Sequence, residues 1–181
     1  AETGRGLTHL PVLYERGGCD GRALTTGQLR FGNDPERFGR LWEGAKRALA
    51  GLPEDTVLGV APHSLRAASP EGVAMAATLA PAAPIHIHVA EQAAEVVEVQ
   101  AATGLRPVQW LLENHAMTSR WCLIHATQMQ PFETEGMARS GAIAGLCPIT
   151  EANLGDGIFD GVRFAAAAGR FGVGSDSNVR I

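Results

Sequence analysis

Cysteine is scarce and never closely paired. Cys19, Cys122 and Cys147 are an odd number at wide spacing with no CxxC among them. That excludes a disulfide framework and a thiolate zinc site, and leaves buried free thiols as the reading. Charge of one sign is never concentrated. The net charge is −4 and the Lys and Arg residues are scattered, so there is no electrostatic case for nucleic acid or an anionic membrane surface. Long apolar runs are absent too; the longest are Ala-rich and broken by Pro, Gly or His well short of a bilayer span. The stretch Ala1-Glu2-Thr3-Gly4-Arg5-Gly6 has no signal-peptide pattern, and a cytoplasmic location is the expectation. No segment fits GxGxxG or GxxxxGK[ST], which removes the usual phosphate-cradling turns.

What is present is a core and an alternation. A chain of 181 residues, 45% of them hydrophobic, suits one domain, and no linker or repeat divides it. A strand over Gly6–Tyr14 is followed by a Gly-rich loop from Gly17 to Gly32. Asn33-Asp34-Pro35 then starts a helix with Phe38, Leu41, Trp42, Ala45, Ala48 and Leu49 on one face, ended by Gly51. Thr56–Ser64 reads as the next strand, with polar residues out to Arg66, and Ser69-Pro70-Glu71 opens a helix through Leu79. Helices follow at about Gln92–Ala102, Pro107–Asn114, Pro131–Arg139 and Gly161–Ala168, with strands at Cys122–Thr127, Ala142–Pro148 and from Phe171. Thr150–Gly157 reads as a loop. Trp42, Trp110 and Trp121 fall on apolar patterns and are expected in the core, and His9 and His115 carry no functional reading.

The chain is organised around Ile85-His86-Ile87-His88-Val89-Ala90-Glu91-Gln92. A strand has a two-residue period, so His86 and His88 share a face, and a turn at Val89-Ala90 brings Glu91 back over His88 from the start of the next helix. Two later apolar runs likewise stop on a polar, metal-competent side chain, at His125 and at Asp176. Buried strands alternating with helices imply a parallel sheet. Function gathered from several strand ends, here His63, His88, His125 and Asp176, favours a (β/α)8 barrel over a doubly wound sheet. About six of the eight strands are countable, and a complete barrel needs roughly 250 residues. The expectation is an α/β, incomplete TIM-type barrel.

His88-Val89-Ala90-Glu91, the strand-end His125 and Gly174-Ser175-Asp176 are similar to the fifth, sixth and eighth strands of amidohydrolase-superfamily deaminases. More narrowly, Ala61-Pro62-His63-Ser64-Leu65-Arg66-Ala67, His86–Gln92, Leu146-Cys147-Pro148 and Thr150–Gly157 together resemble the formimidoylglutamate deiminase family. The resemblance implies that 1–181 is a partial barrel domain running from strand three to strand eight. The family's first-strand His-x-His pair has no counterpart here, and its carboxy-terminal part is absent. The chain alone is therefore expected to be inactive.

The activity implied is hydrolysis of N-formimino-L-glutamate to N-formyl-L-glutamate and ammonia, a step of histidine breakdown, with one zinc ion. His88 and Asp176 are the expected metal ligands, two more coming from the first strand. Asp176 also accepts a proton from the attacking water, His125 polarises the substrate, and Glu91 carries the proton to the leaving nitrogen. Arg66, with its planar fork, and His63 are the expected contacts to the glutamate part of the substrate. His86 reads as a supporting or core residue, and Glu151, Asn153 and Asp156 stand evenly between pocket lining and turn chemistry. The partners implied are a small-molecule substrate and, by likeness to related barrels, a second copy in a homodimer. Two alternatives stay open: an aminohydrolase of a purine or triazine ring, and a catalytically inert barrel piece with open sheet edges. Arg66 weighs against the ring substrate, which has no carboxylate to hold.

Overall fold

Parallel strands joined by helices make up residues 6–176, the part of the chain that the computed structural model describes. The leader reading at residues 1–5 lies outside them, as does Ser177. Among the described residues no helix is long and apolar enough to cross a membrane. The chain falls into two units, Ala1–His86 and Ile87–Ile181.

In the first unit the two expected strands are each split. Gly6–Tyr14 forms β1 (Leu7–His9) and β2 (Val12–Leu13), interrupted at Leu10-Pro11, where proline has no N–H to give to a ladder. After α1 (Pro35–Leu49) come β3 (Thr56–Leu58) and β4 (Ala61–Pro62), with a break at Gly59-Val60. Leu7 pairs with Thr56 and Val12 with Ala61, both in parallel. Gly59 is required there: a Cβ would lie 2.5 Å from the Pro84 carbonyl oxygen. Helix α1 is capped by Asp34, whose side chain accepts the Arg37 N–H at 2.7 Å. It buries Phe38 and Trp42, whereas Leu41, expected on the same face, is exposed. Helix α2 (Pro70–Leu79) is capped by Ser69, whose hydroxyl and N–H are held by the Glu15 carboxylate.

A four-stranded sheet follows in the order β5 (Ile85–Val89), β6 (Trp121–His125), β7 (Ile143–Leu146), β8 (Arg170–Val173), all of it in the second unit except Ile85 and His86. Cys122 pairs with Ile143 and Leu146 with Val173, again in parallel. Between the strands run α3 (Ala93–Thr103), α4 (Pro107–Asn114), α5 (Pro131–Ser140), α6 (Pro148–Leu154) and α7 (Gly161–Ala166). Helix α6 corrects the loop expected at Thr150–Gly157. Pro148 supplies the fixed φ of a first helical position, the Glu151 carboxylate accepts the Cys147 N–H at 2.8 Å, and Gly155 closes the helix in the left-handed region (φ 70°). Strands β5 and β6 alternate buried and half-buried residues, with Ile85, Ile87 and Val89 buried and His86 and His88 on the half-buried row. All three tryptophans are buried, as their patterns predict.

Candidate metal centre and active site

The site forms where β5, β6 and β8 end. Among the described residues, four of the five non-glycine positions with positive φ lie at these ends: Ala90 (49°), His125 (69°), Ala126 (51°) and Asp176 (53°). Each such residue costs on the order of 1–3 kcal/mol, so the surrounding structure must hold it there. At His125 the kink has a visible consequence. Strand parity groups His125 with buried Trp121 and Leu123, and a left-handed backbone releases its ring from that alternation. The His125 ring stacks on that of His88 with centroids 5.6 Å apart.

Ligand atoms of His88, His125 and Asp176 all lie within 4.8 Å of one another. Two ligands about 2.1 Å from one zinc span at most ~4.2 Å, so this nitrogen and oxygen set is close to what a single divalent ion needs. His88 is half-buried, His125 buried and Asp176 exposed. The sequence reading had paired His88 with Asp176 as ligands; the fold adds His125 to the cluster. Glu91 does not belong to the helix from which it was expected. It precedes α3, whose cap is Gln92, and its carboxylate lies 3.6 Å from His125 Nε2.

Three supporting side chains hold these groups. Glu95, buried in the first turn of α3, accepts the N–H groups of Ala90 and Glu91, each at 3.0 Å. Thr127 donates its hydroxyl to the Glu91 carbonyl oxygen at 2.6 Å, so the turn bearing Glu91 is held from both sides. On the far side of His125, Glu151 Oε1 lies 3.2 Å from Nδ1. Sequence reasoning missed Glu95 and Thr127 and left Glu151 undecided. Glu95 had a signal, since an acidic residue in a first turn faces unpaired N–H groups. Thr127 had none, because its partner lies 36 positions away in sequence. Cys147 borders the site. Burial pushes its thiol up to about 11, with further contributions from the negative charges of Asp176, Glu151 and Glu91.

Arg66 and His63 line a separate, polar cavity of about 120 Å³ within the first unit, together with Tyr14, Arg16, Arg22 and Gln28. Three guanidinium groups therefore meet in its wall. Arg16 donates to the carbonyl oxygens of Leu65 and Ala68, at 3.0 and 3.2 Å, while the buried Nε atoms of Arg16 and Arg66 have no protein hydrogen-bond partner. Orphaned buried donors of this kind call for an acceptor. His63 Nδ1 lies 3.2 Å from the Ser64 hydroxyl, and its ring meets Tyr14 edge-on at 4.6 Å. His115 sits against Trp110 and Trp121, its basicity lowered by burial, and His9 lies within β1.

Residues 26–181 match the pattern of the amidohydrolase family. Over 179 residues the sequence is 49% identical to formimidoylglutamate deiminase from Pseudomonas aeruginosa, covering 98% of this chain and 39% of that protein. An amidohydrolase from Brucella melitensis has a crystal structure that superposes with a TM-score of 0.95 at 59% identity, over 99% of this chain and 40% of its own. An adenosine deaminase from Xanthomonas campestris with bound zinc superposes with a TM-score of 0.77 at 19% identity, over 91% of this chain and 35% of its own, a likeness of fold alone. The chain thus spans roughly two fifths of the length of these relatives.

Proposed function

The chain belongs to the amidohydrolase family, and from that premise we propose that it forms part of a (β/α)8 barrel whose strand ends catalyse metal-dependent deimination of N-formimino-L-glutamate. Convergence of His88, His125 and Asp176, with Glu91 beside His125, carries this reading. His88 and Asp176 would hold a divalent ion, zinc being the natural match to a nitrogen and oxygen donor set, with His125 in the same cluster of ligand atoms. A divalent ion in such a site supplies a Lewis acid and makes water nucleophilic near neutral pH.

The chain's own groups do the rest. Asp176 accepts a proton from the attacking water. His125 faces the amidine carbon and stabilises the charge that develops as water adds. Glu91, held by Glu95 and Thr127, delivers a proton to the terminal nitrogen. That carbon–nitrogen bond then breaks as the added hydroxyl gives up its remaining proton towards the departing nitrogen, ammonia leaves, and the carbon keeps its new oxygen as an N-formyl group. The cytoplasm, where histidine breakdown proceeds, is the proposed location.

Substrate choice rests on the arginine-lined cavity. Orphaned guanidinium donors at Arg66 and Arg16 fit a carboxylate, which a glutamate derivative has and a purine or triazine lacks. Arg66→Met is expected to raise KM for N-formimino-L-glutamate about 10–100-fold with kcat nearly unchanged, the loss of a hydrogen bond to a charged group. Steady-state kinetics decide it: an unchanged KM removes Arg66 from substrate binding.

A further inference from the structure

Among the described residues, Glu151 is a buried carboxylate beside the reacting groups that the mechanism above leaves without a task. We propose that it is a positioning residue that fixes the tautomer of His125, keeping the proton of the neutral ring on Nδ1 and the lone pair on Nε2. This rests on the reading of His125 as a group that faces the reaction.

The two ring nitrogens meet different neighbours. Glu151 Oε1 is 3.2 Å from Nδ1, within hydrogen-bond range, whereas the nearest carboxylate oxygen of Glu91 is 3.6 Å from Nε2, beyond it. A carboxylate offers only acceptors, so the nitrogen that bonds to it must carry the hydrogen. The acceptor has a second anchor: the same Oε1 takes the Cys147 N–H at 2.8 Å, and Glu151 and His125 are both buried. The ring cannot readily turn over, since its backbone is kinked (φ 69°) and its face is stacked on His88. Nε2 is left facing Glu91 and the cluster with His88 and Asp176, able to accept a proton or bind a cation. A proton accepted at Nε2 leaves an imidazolium, the form in which His125 can stabilise the charge that develops as water adds; the opposite tautomer already carries Nε2–H and could neither accept that proton nor bind a cation.

A carboxylate that merely capped α6 through Cys147 would leave the tautomer alone, and this separates the two roles. The test is long-range proton–nitrogen NMR of the full chain with ¹⁵N-labelled histidine, recorded about two pH units above the ordinary histidine pKa of ~6.5. His125 is expected to show a protonated Nδ1 and an unprotonated Nε2. Glu151→Gln, whose amide oxygen can replace Oε1, should keep that pattern, and Glu151→Ala should shift it towards Nε2–H. A proton on Nε2 in the unaltered chain, or a pattern indifferent to Glu151→Ala, overturns the proposal. Should the alanine variant fail to fold, the unaltered chain and the glutamine variant still decide the matter. No substrate is needed, so failure here and failure of the substrate assignment are distinguishable. In the active protein, Glu151→Ala should cost about 10–100-fold in kcat with KM little changed, and Glu151→Gln much less.

Discussion

At the residue scale, His125 and Glu91 carry the densest constraints. One is fully buried and held in a left-handed backbone; the other sits on a turn whose N–H groups go to Glu95 and whose carbonyl oxygen goes to Thr127. Such holding matters because a general acid must meet its proton acceptor at a fixed distance. Glu91→Gln is therefore expected to retain the metal and lower kcat about 10²–10⁴-fold, the ordinary share of general acid–base catalysis. Metal content and turnover measured on one sample check it, and full activity would remove Glu91 from the mechanism. Cys122 makes a different kind of prediction. Burial raises its thiol from 9.0 to about 11, with a smaller contribution from Cys147. Between those values an unfolded chain gives up the thiol proton while the folded one keeps it, so the folded state loses stability as pH rises from 9 towards 11. Alkylation of Cys122 should still accelerate above pH 9, and a rate that levels off there would contradict the shifted thiol.

At the element scale, a buried carboxylate ties two helices to one another. Glu133 caps α5 by accepting the Gln130 N–H at 2.8 Å, reaches the Gln109 N–H in α4 at 3.2 Å, and pairs with Arg106 Nε at 2.7 Å. Glu133 is fully buried and Arg106 is 18% exposed. Removing one partner leaves the other charge without compensation, so Glu133→Ala should cost about 3–5 kcal/mol, read as the shift in the urea midpoint. A loss below about 1 kcal/mol would reduce this pair to the standing of a surface salt bridge. The periodic elements were legible in the sequence. Proline at the first helical position located α1, α4 and α5, a glycine just past the end marked where α1 and α5 stop, and the period-two pattern placed His86 and His88 on one row. Helix α6 was hidden because its cap is a side-chain contact from Glu151 to Cys147 and because Asn153, Gly155 and Asp156 are also turn residues. The breaks within the first two strands follow from Pro11 and Gly59, whose effects on a ladder depend on the neighbouring chain.

At the scale of the whole molecule, the strand-end principle was readable and the support behind it was not. Ending apolar runs on His88, His125 and Asp176 is a local pattern, and the fold brings their ligand atoms together. Glu151 and Thr127 act through partners 26 and 36 positions away, a separation no periodicity encodes. The same holds for the arginine cavity, where Arg66 was singled out but Arg16 and Arg22, about 50 positions earlier on a Gly-rich loop, were not. The central claim is that these strand ends make a metal-dependent deiminase of a glutamate derivative. Its most direct test is ammonia release from N-formimino-L-glutamate by a polypeptide carrying these residues within a closed barrel, before and after removal of the metal by a chelator. The account predicts release that stops on chelation and returns with zinc. Ammonia from a purine or triazine but not from N-formimino-L-glutamate, or release indifferent to the chelator, would contradict it.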